Sequence, residues 1–268
     1  MAADEGERRM LFDIRGRRKN VVKVVYAVLA ILMGTSLFLV IGPFNIASLF
    51  EDKNALNAAS QFEDQAERIE RKLRKEPDNE QLLLALTRAR INAGNGLITS
   101  NPETGQIAYT PEMRDQFALA SESWSQYLEA TDEPNPGGAQ LAANALFVLA
   151  QVSRTGAEIE SNLQETARAQ RIVAEARPSL GSLSTLATYL YYAADFKGAE
   201  QARKQALTYA NTKFEREKIE NDLDGAEKQG RSIKQQLVQF EKEAEKRGKN
   251  AEPELGNVLP GSTSLGAP

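Results

Sequence analysis

The sequence contains no cysteine and no histidine in its 268 residues. Zinc sites built on thiolate or imidazole, nucleophiles activated by histidine, haem held by histidine and disulfide frameworks are therefore excluded. The absence of thiols leaves the compartment open, because a chain without them suits oxidising and reducing surroundings equally. Carboxylate-based catalysis remains possible, since Asp and Glu total 37.

Motifs for small-molecule chemistry are also missing. The sequence has no glycine-rich phosphate loop, no nucleotide-binding fingerprint and no cluster of metal-ligating residues. Its net charge of −4 provides no basic field that would attract nucleic acid. A glycosidase needs two carboxylates that converge in a cleft, whereas nearly all Asp and Glu residues lie among Lys and Arg on predicted polar helix faces. We therefore expect no enzymatic activity, no cofactor, no metal and no nucleic-acid partner.

One long apolar run stands near the N-terminus. Residues 24–50 include no charged side chain, and the 18 residues VVYAVLAILMGTSLFLVI, Val24 to Ile41, are almost wholly apolar. At about 1.5 Å per residue this run approaches the roughly 30 Å hydrocarbon core of a bilayer, and its flanks lengthen it. We predict a transmembrane signal anchor over residues 21–43 that contacts the lipid bilayer.

The charges around this run predict its orientation. Residues 1–20 are rich in Arg and Lys, whereas Glu51 and Asp52 follow the run. By the positive-inside rule the N-terminus lies in the cytoplasm of a single-pass protein of the cell membrane, and the C-terminal domain is extracytoplasmic. A cleaved signal peptide is the alternative. A retained anchor is favoured because Gly42-Pro43-Phe44-Asn45 lacks a convincing small-x-small cleavage site.

Beyond the anchor, the composition and the apolar spacing predict an all-α fold, because Ala, Leu, Glu, Lys, Arg and Gln dominate. A juxtamembrane helix over residues 51–76 is followed by helical hairpins over 77–211, a long amphipathic helix over 212–248 and a disordered tail rich in Pro, Gly and Ser over 249–268. Three hairpins are expected, with helices starting near Glu80, Pro111, Ala139, Glu158, Ser182 and Lys197.

The stretch YYAADFKGAE, residues 191–200, interrupts a helical pattern and restarts it at once. We read Ala194-Asp195-Phe196 as the tight turn of a hairpin. Around it, Leu183, Leu186, Ala187, Leu190, Ala199 and Ala206 have spacings that resemble the tetratricopeptide repeat. In that family small residues at the eighth and twentieth positions let two helices approach closely, and Ala187 and Ala199 hold those positions. The family's turn is Gly-Asp-Tyr, so the glycine is missing here, and Arg203 stands where the family prefers an aromatic.

Two further units match this family. The first has Ala120, Trp124, Tyr127 and Leu128 in its second helix, and the second has Ala167 and Ala174, with Arg171 again replacing an aromatic. The equivalent residues Ala120, Ala167 and Ala199 are 47 and 32 positions apart, against a family period of about 34. The resemblance is thus divergent and covers about residues 77–211. A non-repetitive helical bundle is the alternative.

The resemblance implies a binding groove, because the first helix of each tetratricopeptide pair lines a concave surface. An aromatic and polar groove of this kind suits an extended or helical peptide. For Tyr191 and Tyr192, packing against a neighbouring helix is the alternative. Carried over to this chain, the groove residues are Arg88, Asn92, Phe147, Thr188, Tyr191 and Tyr192.

An insertion separates the helices of the first hairpin. Residues 97–99 and 107–109 are predicted to pair as short strands around a turn-rich centre. Because long insertions in compact domains are often functional, Ile107 and Tyr109 are candidate partner contacts. A plain mobile loop is the alternative.

The predicted C-terminal helix carries a heptad seam, weakened at Ala226 and Gly230. The seam suggests either a coiled coil, which would form a homodimer through residues 219–244 or pair with the helix at 51–76, or an amphipathic helix that caps the last hairpin. The cap is favoured. The seam residues are Ile219, Leu223, Ala226, Gly230, Ile233, Leu237, Phe240 and Ala244.

An N-terminal anchor followed by extracytoplasmic tetratricopeptide-like hairpins resembles the translocon-associated accessory proteins of bacterial inner membranes. The start MLFDIRGRRKNVVK also resembles the anchor of parvulin-type periplasmic folding factors, although no isomerase domain follows. This resemblance implies a membrane-anchored scaffold or adaptor that binds protein partners, chaperone-like at the translocon or cell envelope. A structural coiled-coil protein of the envelope without a client groove is the alternative.

Overall fold

The computed structural model describes residues 52–100, 107–247 and 259. The regular secondary structure of these residues is helical except for one pair of two-residue strands, which confirms the all-α prediction. In chain order the elements are α1 Asp52–Leu73, α2 Glu80–Gly96, β1 Thr99–Ser100, β2 Ile107–Ala108, α3 Pro111–Ala130, α4 Pro136–Gln151, α5 Gly156–Ala176, α6 Leu180–Tyr192, α7 Phe196–Thr208 and α8 Lys213–Arg247.

The predicted anchor at 21–43 and the basic segment at 1–20 lie outside the described residues. Among the helices that are described, none combines the length and apolarity needed to cross a bilayer.

Side-chain caps set where the helices begin. Six helices start after a residue whose side chain accepts a hydrogen bond from the backbone N–H three positions on, which satisfies one of the donors left free in the first turn. Helix α4 begins at Pro136, three residues before the predicted start, because Asn135 caps it and proline fits the first helical position. The capping residues are Asn79, Thr110, Asn135, Thr155, Ser179 and Asp195.

Consecutive helices pair as three hairpins, α2 with α3, α4 with α5 and α6 with α7. Successive hairpins contact one another through α3 and α4 and through α5 and α6. Small residues keep the paired helices close: a β-carbon added to Gly94 of α2 would lie 2.4 Å from the Phe117 ring of α3. Ala187 and Ala199 are both fully buried in the third hairpin.

The predicted turn of the third hairpin is confirmed. Ala194 has a left-handed backbone, with φ of 61°. The Asp195 N–H donates to the Leu190 carbonyl at 2.9 Å, and Asp195 Oδ1 accepts from the Gly198 N–H at 2.9 Å. Glycine adopts positive φ without strain, so a glycine would fit this turn better than the alanine that the chain has at position 194.

Helix α1 packs on the first hairpin. Ala66 and Ile69 form a cluster with Leu86 and Ala89 of α2. A polar network reinforces this contact. The Arg90 guanidinium donates to Glu70 at 2.5 Å and to Gln116 at 3.0 Å, and the Gln116 amide donates to Glu63 at 3.0 Å. Helix α1 is therefore held on the first hairpin by both apolar and polar contacts.

Helix α8 returns along the last two hairpins and packs chiefly on α6. Leu223 and Ala226 join the core of the third hairpin, whereas Ile233 lies with residues of α4 and α5. Gly230 contacts the Tyr191 backbone, and Arg203 of α7 pairs with Asp224 at 2.7 Å. The described heptad seam therefore faces the chain's own hairpins, as the cap interpretation requires, and small residues at the seam permit the close approach.

The C-terminal tail contributes one described residue, Leu259. The sequence predicts that residues 249–268 have little to bury, but Leu259 is only 3% exposed. This expectation is therefore wrong at Leu259, which packs in the apolar cluster of Ile159, Leu163 and Ile233. The other tail residues lie outside the described part of the chain.

Candidate functional site

Three aromatic side chains from two hairpins meet at the α4 and α6 helices. The Phe147 ring lies 5.1 Å from Tyr189 and 6.0 Å from Tyr192, and it is stacked on Tyr192 at 18°. All three side chains are half-buried. We call Phe147, Tyr189 and Tyr192 the aromatic cluster. Offset stacking of this kind fixes the rings and leaves rigid surface for a partner.

Burial affects the two phenols of the cluster. It raises the pKa of Tyr192, and it raises the pKa of Tyr189 with a smaller contribution from the neighbouring Tyr192. Both phenols therefore stay neutral near physiological pH. A neutral phenol can donate one hydrogen bond and accept others.

Tyr191 is fully buried, so the prediction that it lines a groove is wrong. Successive residues of a helix point about 100° apart, so Tyr191 and Tyr192 face different directions. The Tyr191 hydroxyl donates to Glu200 at 2.5 Å, inside the third hairpin. Burial raises the pKa of Tyr191 to about 12, and the bond to Glu200 adds to this rise. Tyr191 thus belongs to the core.

The predicted groove residues do not all meet. Arg88 is exposed and donates to Asn135 at 3.3 Å, at the start of α4. Phe147 lies twelve residues further along α4, which corresponds to about 18 Å along its axis. Asn92 is half-buried one turn beyond Arg88, and the Thr188 hydroxyl donates to the Ser184 carbonyl of its own helix at 3.0 Å. The structure therefore joins Phe147 to Tyr192 and places Arg88 apart from them.

The insertion between α2 and α3 forms an antiparallel strand pair, with Thr99 opposite Ala108. The first strand lies at residues 99–100, two positions later than the predicted 97–99. Ile107 is 49% exposed and available to a partner. Tyr109 is half-buried, burial raises its pKa, and its hydroxyl donates to Gln151 of α4 at 3.4 Å. Tyr109 therefore ties the base of the insertion to the second hairpin.

Sequence reasoning missed Tyr189 and the residues that adjoin the cluster from the C-terminal part of the chain. Tyr189 precedes Tyr192 by three positions, and this helical spacing puts them on one face. Leu237 and Phe240 pack against the same buried apolar residues as Phe147 and Tyr192. Both residues belong to the heptad seam, which predicts that they lie on an apolar helix face. The seam does not indicate which surface that face packs against.

A separate cleft of about 770 Å³ opens between α5, α6 and α7. Its lining includes leucines of α6 together with Arg171, Asp195 and Lys197. The charges are of both signs and the cleft is open, so nothing in it selects one ligand.

Within the described ranges no three acidic side chains come together to hold a metal ion. Comparison with protein-family models, with curated proteins and with solved structures yielded no match.

Proposed function

We propose that this protein is a membrane-anchored, extracytoplasmic adaptor of tetratricopeptide-like architecture that binds a protein partner at the cell envelope. The observation that carries the proposal is the aromatic cluster: Phe147, Tyr189 and Tyr192 come from two successive hairpins and share one half-exposed face. Aromatic residues are enriched at protein interfaces because they offer large contact area with few rotatable bonds.

The hairpin contacts support the tetratricopeptide-like part of the proposal. Ala187 and Ala199, the two small positions of the third unit, are fully buried where α6 and α7 meet. The largest departure from the family is Arg203, and it has a local cause, since its guanidinium pairs with Asp224 and fastens α8 to the hairpin. An aromatic at this position would not make that ion pair.

The described contacts favour the adaptor over a structural coiled coil. A coiled-coil dimer through residues 219–244 needs an exposed seam. Leu223 and Ile233 are instead 1% and 0% exposed against the chain's own helices. Dimerisation along this seam would require α8 to leave α6 first.

The membrane part of the proposal rests on the apolar run at residues 24–41 and the basic residues before it. The chain has no native cysteine, so single engineered cysteines report topology cleanly. We expect an impermeant maleimide to label Gln61→Cys in intact cells and Ala2→Cys only after lysis. Labelling of both positions only after lysis would contradict an extracytoplasmic domain.

The adaptor role is tested by photocrosslinking in intact cells, with a photoreactive amino acid at Tyr192 and, separately, at Tyr109. Lys204, which is exposed on α7, is the matched control position. Discrete products with translocon or folding-factor subunits from Tyr192, and not from Lys204, would identify the partner. Self-products alone would favour the structural alternative.

A further inference from the structure

The apolar cluster beneath Leu259 has the form of a pocket for one side chain. Leu259 is 3% exposed, and the residues around it come from α4, α5, α8 and the C-terminal end of α6. The buried members are Ala150 of α4, Ile159 and Leu163 of α5, and Ile233 of α8, and the half-buried members are Phe147, Tyr192, Ala193, Leu237 and Phe240.

This pocket adjoins the aromatic cluster. Phe147 and Tyr192 belong to both, because their rings stack on each other and both side chains pack against the buried cluster that contains Leu259. A side chain in the pocket is therefore continuous with the surface that is proposed to bind a partner.

Chain length permits the tail to reach this position. Ile233 precedes the end of α8 at Arg247 by fourteen residues, which is about 21 Å of helix. The segment 248–258 can span more than this, because a chain extends by at most about 3.5 Å per residue. Pro260 follows Leu259 directly and disfavours helix at Leu259, so the leucine is presented by non-helical backbone.

We propose that this pocket binds the leucine of a non-helical Leu-Pro segment, that the chain's own tail supplies Leu259 as the resident occupant, and that a partner segment bearing a leucine displaces it. The partner's identity rests on the proposed adaptor function, whereas the docking of the tail does not. Because the tail is tethered, its effective concentration at the pocket is on the order of millimolar. A partner must therefore bind the pocket more tightly than the tail does.

The first test uses a fluorescent peptide of residues 252–266 and the full-length protein in detergent. Native protein should bind it weakly, because the tethered tail competes. Leu259→Ala protein, whose pocket is empty, should bind it at least tenfold more tightly. A peptide with alanine in place of the leucine at 259 should bind neither protein. Equal binding to both proteins, no binding to either, or binding of the alanine peptide would overturn the proposal.

The second test locates the tail in the intact protein. Leu259→Cys combined with Leu163→Cys should form an intramolecular disulfide under mild oxidation. Leu259→Cys combined with Gln164→Cys should form much less, because Gln164 is exposed on the same helix. Equal yields from the two pairs would show that the tail does not occupy the pocket.

Displacement of the tail by a partner is measured separately, by crosslinking. Crosslinking from Tyr192 in cells should increase in Leu259→Ala and decrease when the 163–259 disulfide is closed. Unchanged yields would overturn displacement by a partner while leaving tail docking in place. Absence of any partner product, together with a docked tail, would instead count against the proposed adaptor function.

Discussion

Gly230 of α8 lies directly against the backbone of Tyr191 on α6. A β-carbon at Gly230 would come within 2.2 Å of the Tyr191 carbonyl oxygen, which is closer than any real side chain approaches. The two helices therefore touch backbone to backbone at this point. Gly230 weakens the heptad seam as a coiled coil, but the contact with α6 requires a residue without a side chain at this position.

Gly230→Ala should destabilise the protein by about 1–3 kcal/mol, because the clash is with main chain that cannot rotate away. Gly225→Ala is the matched control on the same helix, since a β-carbon there meets no atom within 4 Å. The control should stabilise by up to about 1 kcal/mol, as expected for alanine over glycine in a helix. Urea denaturation of both variants checks the difference, and equal effects would contradict the close contact.

Ala194→Gly should stabilise the third hairpin. Ala194 has φ of 61°, and a left-handed conformation costs a non-glycine residue about 1–2 kcal/mol. Part of this gain is offset because glycine has more freedom in the unfolded chain, so we expect a net gain of about 0.5–1 kcal/mol. Thermal unfolding measures it, and a loss of stability would show that the turn is not strained at this position.

Tyr191 should make stability depend on alkaline pH. Its folded pKa is raised to about 12, so the phenol remains protonated in the folded chain after it has ionised in the unfolded chain. The unfolded state then binds fewer protons, and the free energy of unfolding falls as pH rises from about 10 to 12. This contribution is fully present below pH 10.

Tyr191→Phe should reduce this alkaline loss, because phenylalanine has no proton to release. Urea midpoints of native and variant protein at pH 9, 10 and 11 measure the slope. Tyr209→Phe, at an exposed position, controls for removing a hydroxyl elsewhere. The same pH slope in native and Tyr191→Phe protein would argue against the buried bond to Glu200.

Arg90→Ala should loosen α1 from the first hairpin. Arg90 bonds both Glu70 of α1 and Gln116 of α3, and its side chain is only 10% exposed. Its loss should cost about 1–3 kcal/mol, because the partner groups lose a buried donor.

Hydrogen exchange of the α1 amides after Ala58 should accelerate in Arg90→Ala, while α6 and α7 stay protected. Arg71→Ala is the control, since its 3.7 Å pair with Glu67 is exposed and should contribute about 0.5 kcal/mol or less. Uniform acceleration across all helices would mean that Arg90 supports the whole fold and not the α1 contact.

The sequence carried enough information to predict the helices and the hairpin turn, because both are local. Alanine spacing, the caps and Asp195 are each read within a few residues. The direction of Tyr191 was not predictable in this way, since adjacent tyrosines on a helix both look suited to a groove until the neighbouring helix is placed.

The partner of the α8 seam was likewise not predictable. A heptad pattern shows that a face is apolar, but it does not distinguish a second copy from the chain's own hairpins. Leu259 gave no periodic signal, because a single leucine among Pro, Gly and Ser has no pattern. Its burial depends on a pocket whose members come from α4, α5, α8 and the end of α6.

The most direct measurement of the central claim is the yield of partner crosslinks from Tyr192 relative to Lys204 in intact cells. If the aromatic cluster binds a client, Tyr192 should give discrete heteromeric products that are absent from Lys204 and reduced in Phe147→Ala. Equal yields from the two positions, or products that contain only this chain, would contradict an adaptor function.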